Sequence, residues 1–298
     1  MEIFMKTPIF TGSAVAIVTP FTESGVDYAK LAELIEFHIA NHTDAIVICG
    51  TTGEASTMPD AEHKEVIRFT VEKTAGRIPV IAGTGSNDTA HAIELSQYAE
   101  EAGADGVLIV APYYNKTTQK GLCAHVEAIA DSISIPIVLY NIPGRTGGLG
   151  YSIETLKKLS QIPNVNSIKE ATGDLSFVAK IAAETDLVIY AGNDDIIVPV
   201  MSLGGQGVIS VVANILPQET HDICAKFTAG DTDGSRALFL KLLKLINTLF
   251  IEVNPIPIKT AMNLTGLQAG PFRMPLCDMT DANLAVLKQV LADYGLLK

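Results

Sequence analysis

Eight short apolar runs, most of them rich in β-branched residues, recur along this chain with room for one helix between neighbours, and no other feature constrains the fold as strongly. The runs are AVAIV (14–18), AIVIC (45–49), PVIAG (79–83), GVLIV (106–110), PIVLY (136–140), VNSIK (165–169), LVIYA (187–191) and GVISV (207–211). Their starts lie 31, 34, 27, 30, 29, 22 and 20 residues apart, enough for a strand, two loops and a crossover helix. Runs that stay apolar instead of alternating suit a parallel sheet covered by helices. Between them, 27–40 sets Leu31, Leu34, Ile35 and His38 or Ile39 on one stripe behind Asp27 as an N-cap. Segment 89–102 does the same through Ile93, Leu95 and Tyr98 and ends at Gly103. Eight such units predict an α/β fold, a (β/α)8 TIM barrel with its active site at the carboxyl ends of the strands. An open, doubly wound sheet has the same spacing, because spacing does not prove closure.

The rhythm stops near residue 230. Segments 235–252, 256–265 and 281–294 are helical in period, which predicts a catalytic barrel over 1–230 and a C-terminal all-helical domain over 231–298, joined at the turn-rich AGDTDG (229–234). With 48% hydrophobic and 18% charged residues the chain must bury a core. Its 33 acidic against 21 basic residues give a net charge of −12. Nucleic acids and anionic membranes attract a Lys/Arg excess, so neither is an expected partner, and small-molecule chemistry is. Cysteines 49, 123, 224 and 277 form no CxxC pair, which suggests a reducing compartment. The N-terminus carries Glu2 and Lys6 and no apolar run of export-signal length before them, so the expected location is cytoplasmic. The uncharged stretch 196–218 has the length of a membrane span. Pro199, the Gly204–Gly207 turn and Asn214 instead divide it into a short helix, a turn and a strand.

Polar groups then collect where a barrel would need them. GTTGE (50–54) follows the second run, PYYN (112–115) the fourth, YNIPGRTG (140–147) the fifth, and GND (192–194) the seventh, while Lys169 and Glu170 end the sixth. A lysine directed into a barrel mouth could lose its proton through burial and attack a ketone, forming a Schiff base. It could equally be paired with Glu170 or Asp174 at the rim. Tyr140 could move a proton, aided by Thr51 and a second tyrosine, or simply pack its ring. Tyr113 and Tyr114 are adjacent, so on an extended segment only one faces a given site. GTTGE offers N–H groups and two hydroxyls to a carboxylate or phosphate, but it is neither a Walker A loop nor a dinucleotide fingerprint. No metal site is expected. His38 and His42 precede the second strand on the outer layer, and the remaining histidines also fall on helices.

Taken in order, GTTGE, PYYNK, YNIPGRTG, IKEATGD and AGNDD, with NPIPIK (254–259) and GPFRMPL (270–276) in the tail, resemble the pyruvate-dependent class I aldolase family of dihydrodipicolinate synthases and N-acetylneuraminate lyases. The resemblance covers nearly the whole chain. It implies that Lys169 forms a Schiff base with pyruvate, that Tyr140 donates and accepts the proton, and that Thr51 and Tyr114 complete a relay. Thr52 and Ile209, with Gly192, would bind pyruvate. Arg145 marks the branch that condenses pyruvate with L-aspartate 4-semialdehyde in lysine and diaminopimelate biosynthesis, where it holds the second substrate's carboxylate. A sugar-acid lyase and a non-catalytic keto-acid-binding barrel are the alternatives. The resemblance implies no cofactor and no metal, and a homotetramer built as a dimer of dimers in which Tyr114 crosses a subunit interface. One departure stands out. Lysine-inhibited members carry a Glu and two His in an interface pocket, where this chain has His91, Asp60 and His63. Weak or absent feedback inhibition is expected.

Overall fold

The computed structural model describes residues 6–297. Residues 1–5, which carry part of the N-terminal reading, lie outside it. Eight parallel strands close into a barrel: β1 (Gly12–Ala16), β4 (Ala45–Ile48), β5 (Val80–Gly83), β6 (Gly106–Val110), β7 (Ile137–Asn141), β8 (Val165–Glu170), β9 (Val188–Ala191) and β10 (Gly207–Ser210). Each pairs with the next in the chain, and β1 pairs with both β4 and β10. All eight expected strands are present, shifted by at most two residues at either end. The open sheet is thereby ruled out. A small hairpin, β2 (Phe21–Thr22) with β3 (Gly25–Val26), lies between β1 and the first helix and was not expected from the apolar pattern.

Helices α1 (Tyr28–Ala40), α2 (Asp60–Thr74), α3 (Thr89–Glu101), α4 (Gln119–Ala130), α5 (Ile153–Leu159), α6 (Leu175–Glu184), α7 (Ile197–Ser202) and α8 (Pro217–Thr228) surround the strands. Asp27 caps α1, accepting from the Lys30 N–H, and Leu31, Leu34, Ile35 and His38 form its buried face. On α3 the buried face is Ala92, Leu95, Ser96 and Ala99, one position off the expected stripe. Small residues allow the helix to lie close against the barrel, Ile93 packs at its flank, and Tyr98 is half-buried with Lys64 Nζ 5.5 Å from its ring. The uncharged stretch resolves into α7, a turn at Gly204–Gly205 and β10. Among the described residues no helix is long and apolar enough to cross a membrane.

Strand alternation sorts the core into two parts. Ala14, Val47, Ile81, Leu108, Val138, Tyr140, Val188 and Ile209 fill the barrel interior. Their neighbours Val15, Ile46, Ile109, Leu139 and Ile168 face the helices. Phe10, ahead of β1, stacks on Tyr190 at 4.2 Å inside the barrel.

Three further helices follow, α9 (Thr232–Thr248), α10 (Ile256–Leu264) and α11 (Asp281–Asp293). α9 starts three residues before its expected position because Asp231 caps it, and it ends four residues early. Segment 249–255 leaves the helix and carries Phe250 and Asn254 to the barrel mouth.

Candidate active site

The register of β7 on β8 sets Tyr140 beside Lys169. Ile168 faces the helices, so Lys169 faces inward, and its Nζ sits 4.4 Å from the centre of the Tyr140 ring. Lys169 is buried. Burial pushes its pKa down to about 8; the Asp194 carboxylate works against that fall and Arg145 adds to it. Asp194 is not within ion-pairing distance. Its Oδ2 accepts the N–H groups of Val211 and Val212, each at 2.9 Å. Neither carboxylate that a rim pairing would have used meets the lysine. Glu170 accepts from Asn141 Nδ2 at 2.6 Å and from the Thr172 N–H at 2.7 Å, and Asp174 caps α6.

Tyr140 is buried, and desolvation pushes its pKa up to about 12, tempered by the Arg145 charge and a hydrogen bond with Thr51. Thr51 and Thr52 occupy the turn after β4. Within that turn the N–H groups of Gly53 and Glu54 are spent on the carbonyls of Gly50 and Thr51, each at 3.1 Å, which leaves those of Thr51 and Thr52 for a ligand. The Thr52 hydroxyl accepts from Asn254 Nδ2 at 3.0 Å. Arg145 Nη2 donates to the Asn254 carbonyl at 3.0 Å. At Gly192 a Cβ would lie 2.6 Å from Ala171 Cβ and 2.8 Å from the Glu170 carbonyl, so only glycine fits.

A small cavity of about 50 Å³ is lined by Lys169, Tyr140, Thr51, Thr52, Arg145 and Gly192, with Asn254 among its other walls. Six of the eight expected site residues therefore converge. Ile209 packs in the barrel interior, and Val211, just past its strand, lines the cavity. Tyr114 does not reach it. That side chain stands 92% exposed on a left-handed backbone, φ 65°, while its neighbour Tyr113 lines a second cavity of about 440 Å³ with Thr51 and Tyr140. That cavity extends to Asp60, His63 and His91. There His91 Nε2 meets Asp60 Oδ1 at 3.1 Å, and the His63 ring donates to the Gly83 carbonyl at 2.9 Å. A third, outer cavity of about 510 Å³ lies against Arg145, Ile142, Pro143 and Val253. Asn254 was not singled out from sequence, and Asp194 was placed at the end of the seventh run without a role. Both lie in quoted motifs, NPIPIK and AGNDD, but nothing in a linear pattern showed what either bonds. Among the described residues no group of three or more His, Cys, Asp or Glu side chains is placed to hold a metal ion.

This arrangement can hold a keto acid by its carboxylate at the Thr51–Thr52 turn, present its carbonyl carbon to a partly deprotonated amine, and move protons through Tyr140. Comparison with known proteins agrees. The model of the dihydrodipicolinate synthetase family matches residues 9–293. A protein of Acetivibrio thermocellus named 4-hydroxy-tetrahydrodipicolinate synthase is 59% identical over 295 residues, covering 98% of this chain and all of the relative. The crystal structure of dihydrodipicolinate synthase from Aquifex aeolicus superimposes with a TM-score of 0.95 at 45% identity, covering 97% of this chain and all of that one. A structure described as the first monomeric dihydrodipicolinate synthase variant gives 0.94 at 38% identity, covering 97% and 98%.

Proposed function

The chain belongs to the dihydrodipicolinate synthetase family, and from that premise we propose how its residues divide the work. The reaction is the condensation of pyruvate with L-aspartate 4-semialdehyde to 4-hydroxy-tetrahydrodipicolinate, in lysine and diaminopimelate biosynthesis. Lys169 is the nucleophile. With a pKa near 8, about a tenth of its amine is neutral at pH 7, against well under a thousandth for an ordinary lysine. The amine adds to C2 of pyruvate, the carbonyl oxygen leaves as water, and a protonated imine remains. Its pull on electrons makes a C3 proton acidic. The resulting enamine carbon bonds to the aldehyde carbon of the second substrate, whose oxygen takes up a proton and becomes the hydroxyl. The second substrate's amino group then displaces Lys169 from the imine carbon, closing the ring and freeing the enzyme.

Tyr140 carries the protons, held in its protonated form at neutral pH and bonded to Thr51. Thr52, the free N–H groups of its turn and the end of β10 at Ile209 receive the pyruvate carboxylate, with Gly192 leaving room beside it. Arg145 receives the carboxylate of the aldehyde. The observation that carries this reading is a buried lysine with no carboxylate among the described residues within ion-pairing distance, facing Tyr140 in a cavity walled by Thr51 and Thr52. Borohydride reduction in the presence of pyruvate tests it. A covalent adduct on Lys169 is expected; an adduct on another lysine, or none, overturns the assignment.

The assembly we propose is a homotetramer, a dimer of dimers in which Tyr114 enters the partner's site. Its support is the exposed ring on a left-handed backbone, a conformation a bulky residue holds only against a steric cost. Sedimentation measures the assembly, and Tyr114→Phe should lower turnover without dissociating it. We further propose a cytoplasmic location, with a catalytic barrel through residue 230 and a helical domain over 231–298. The four free cysteines support the location.

A further inference from the structure

The turn that carries Thr51 and Thr52 ends in Glu54, a fully buried carboxylate on a left-handed backbone, φ 55°. Its Oε1 accepts from Lys259 Nζ at 2.6 Å, and both side chains are shut off from solvent. Oε2 accepts the Arg273 N–H at 3.1 Å. Lys259, on α10, also donates to the Thr19 carbonyl at 3.0 Å and faces the Phe21 ring at 4.5 Å. Five residues before it, Asn254 bonds the Thr52 hydroxyl. The turn is thus gripped at both ends by groups that are 202 to 219 residues distant in sequence.

We infer that Glu54 and Lys259 are positioning residues, a buried clamp through which the C-terminal helical region sets the height and angle of Thr51 and Thr52 against pyruvate. The inference rests on the roles proposed above for those two threonines. A buried ion pair is a poor source of stability, because desolvating two charges offsets most of their attraction, and an apolar pair of similar volume often does as well or better. What the pair supplies is directional: one short bond of fixed length, anchored at each end by further hydrogen bonds. The Lys259 and Arg273 bonds add side-chain anchors to the turn's own backbone bonds in holding Glu54 on a left-handed backbone that a side chain disfavours. Arg145 depends on the Asn254 carbonyl, not on Glu54, so the clamp acts on the pyruvate half of the site.

The test is the double variant Glu54→Gln/Lys259→Met, which removes both buried charges together. It should fold, and its kcat/KM for pyruvate should fall roughly ten- to a hundredfold, the scale on which small misplacements of reacting groups cost rate. The pyruvate KM should rise while the KM of the aldehyde stays near that of the unaltered enzyme. Leu287→Ala, a buried change on α11, is the control and should lower the melting temperature without moving the pyruvate KM. A folded double variant with unaltered pyruvate constants overturns the inference, as does an equal rise in both KM values. Should the double variant not fold, Lys259→Arg keeps the charge but changes the donor's reach. A several-fold higher pyruvate KM is then expected, and unchanged constants overturn the clamp. Absence of the Lys169 adduct in the unaltered enzyme is a different failure, because it removes the site assignment itself.

Discussion

Among the described residues two lysines are buried, Lys169 and Lys259, and the contrast between them explains which one does chemistry. Lys169 and Lys259 each lie about the same distance from an aromatic ring, 4.4 Å from Tyr140 and 4.5 Å from Phe21. Each is pushed below its ordinary pKa by burial. Lys259 has a carboxylate at 2.6 Å and a carbonyl at 3.0 Å. Lys169 has Asp194 nearby, but that carboxylate is turned to the backbone of Val211 and Val212. An ammonium with partners keeps its proton and becomes a fixed charge. One without them gives up its proton near neutral pH and becomes a nucleophile. The two lysines differ in function because their counterions differ.

The largest effects should appear when the same substitution is made at both positions. Lys169→Met should abolish condensation, a loss of at least about four orders of magnitude in kcat for a covalent nucleophile. Yet it should stabilise the fold. The folded pKa of Lys169 lies below its unfolded value, so below about pH 8 the native protein bears the whole cost of the buried charge. As pH rises from about 8 to 10.5 the unfolded chain holds a proton that the folded chain has released, and stability climbs. At pH 7 the gain from Lys169→Met should be on the order of 3 kcal/mol, and it should vanish above the ordinary lysine range. Lys259→Met removes a partner and leaves Glu54 buried alone, which should cost about 3 to 5 kcal/mol. Denaturant unfolding at pH 7 and pH 10 reads both. Equal signs at the two positions would erase the distinction between them.

Much of this contrast was visible before the fold was known, and the missing part has a definite cause. Lys169 and Tyr140 were legible because each is the last residue of one of the eight runs, and strand ends on one barrel face converge. The eight strands were legible because apolar residues fill them on both faces. The hairpin at Phe21 and Gly25 was not, since two-residue strands have no period to detect. Nor was the role of Lys259. In the sequence IPIKTAMNL it reads as a polar interruption of a short apolar helix, and its partner lies 205 residues away. Asn254 is the same case. Local pattern reports which residues lie on an element, while a tertiary hydrogen bond depends on where two elements meet.

A smaller effect should separate the ring of Tyr140 from its hydroxyl. Tyr140→Phe keeps the aromatic face beside Lys169 but removes the proton carrier. Turnover should fall roughly a hundred- to ten-thousandfold, the usual worth of a general acid–base group. Borohydride trapping at equilibrium should still mark Lys169. The rate of trapping should rise with pH through about 8 in both proteins, because it follows the neutral amine. If trapping in the variant shows no such rise, the ring alone is not what keeps Lys169 dry, and burial by other residues or the Thr51 bond must share the task.

The smallest effect concerns a third lysine, the free amino acid. Its ammonium needs what Lys259 has and Lys169 lacks, a carboxylate at ion-pairing distance with an oxygen to spare for it. The cavity that runs from Tyr113 to the α2 and α3 helices offers Asp60, but His91 Nε2 already lies 3.1 Å from its Oδ1. That carboxylate is well exposed, at 60%, and a screened, shared ion pair of this kind is worth about 1 kcal/mol or less. Lysine should therefore inhibit only at about a millimolar or above, where binding amounts to about 4 kcal/mol. His91→Glu places a second carboxylate in the cavity and releases Asp60 from its partner, so inhibition should tighten several-fold. Steady-state rates against added lysine, for both proteins, measure this. Potent inhibition of the unaltered enzyme at sub-millimolar lysine would mean that Asp60 serves the ammonium despite His91, and that engagement by a histidine does not silence a carboxylate as a lysine counterion.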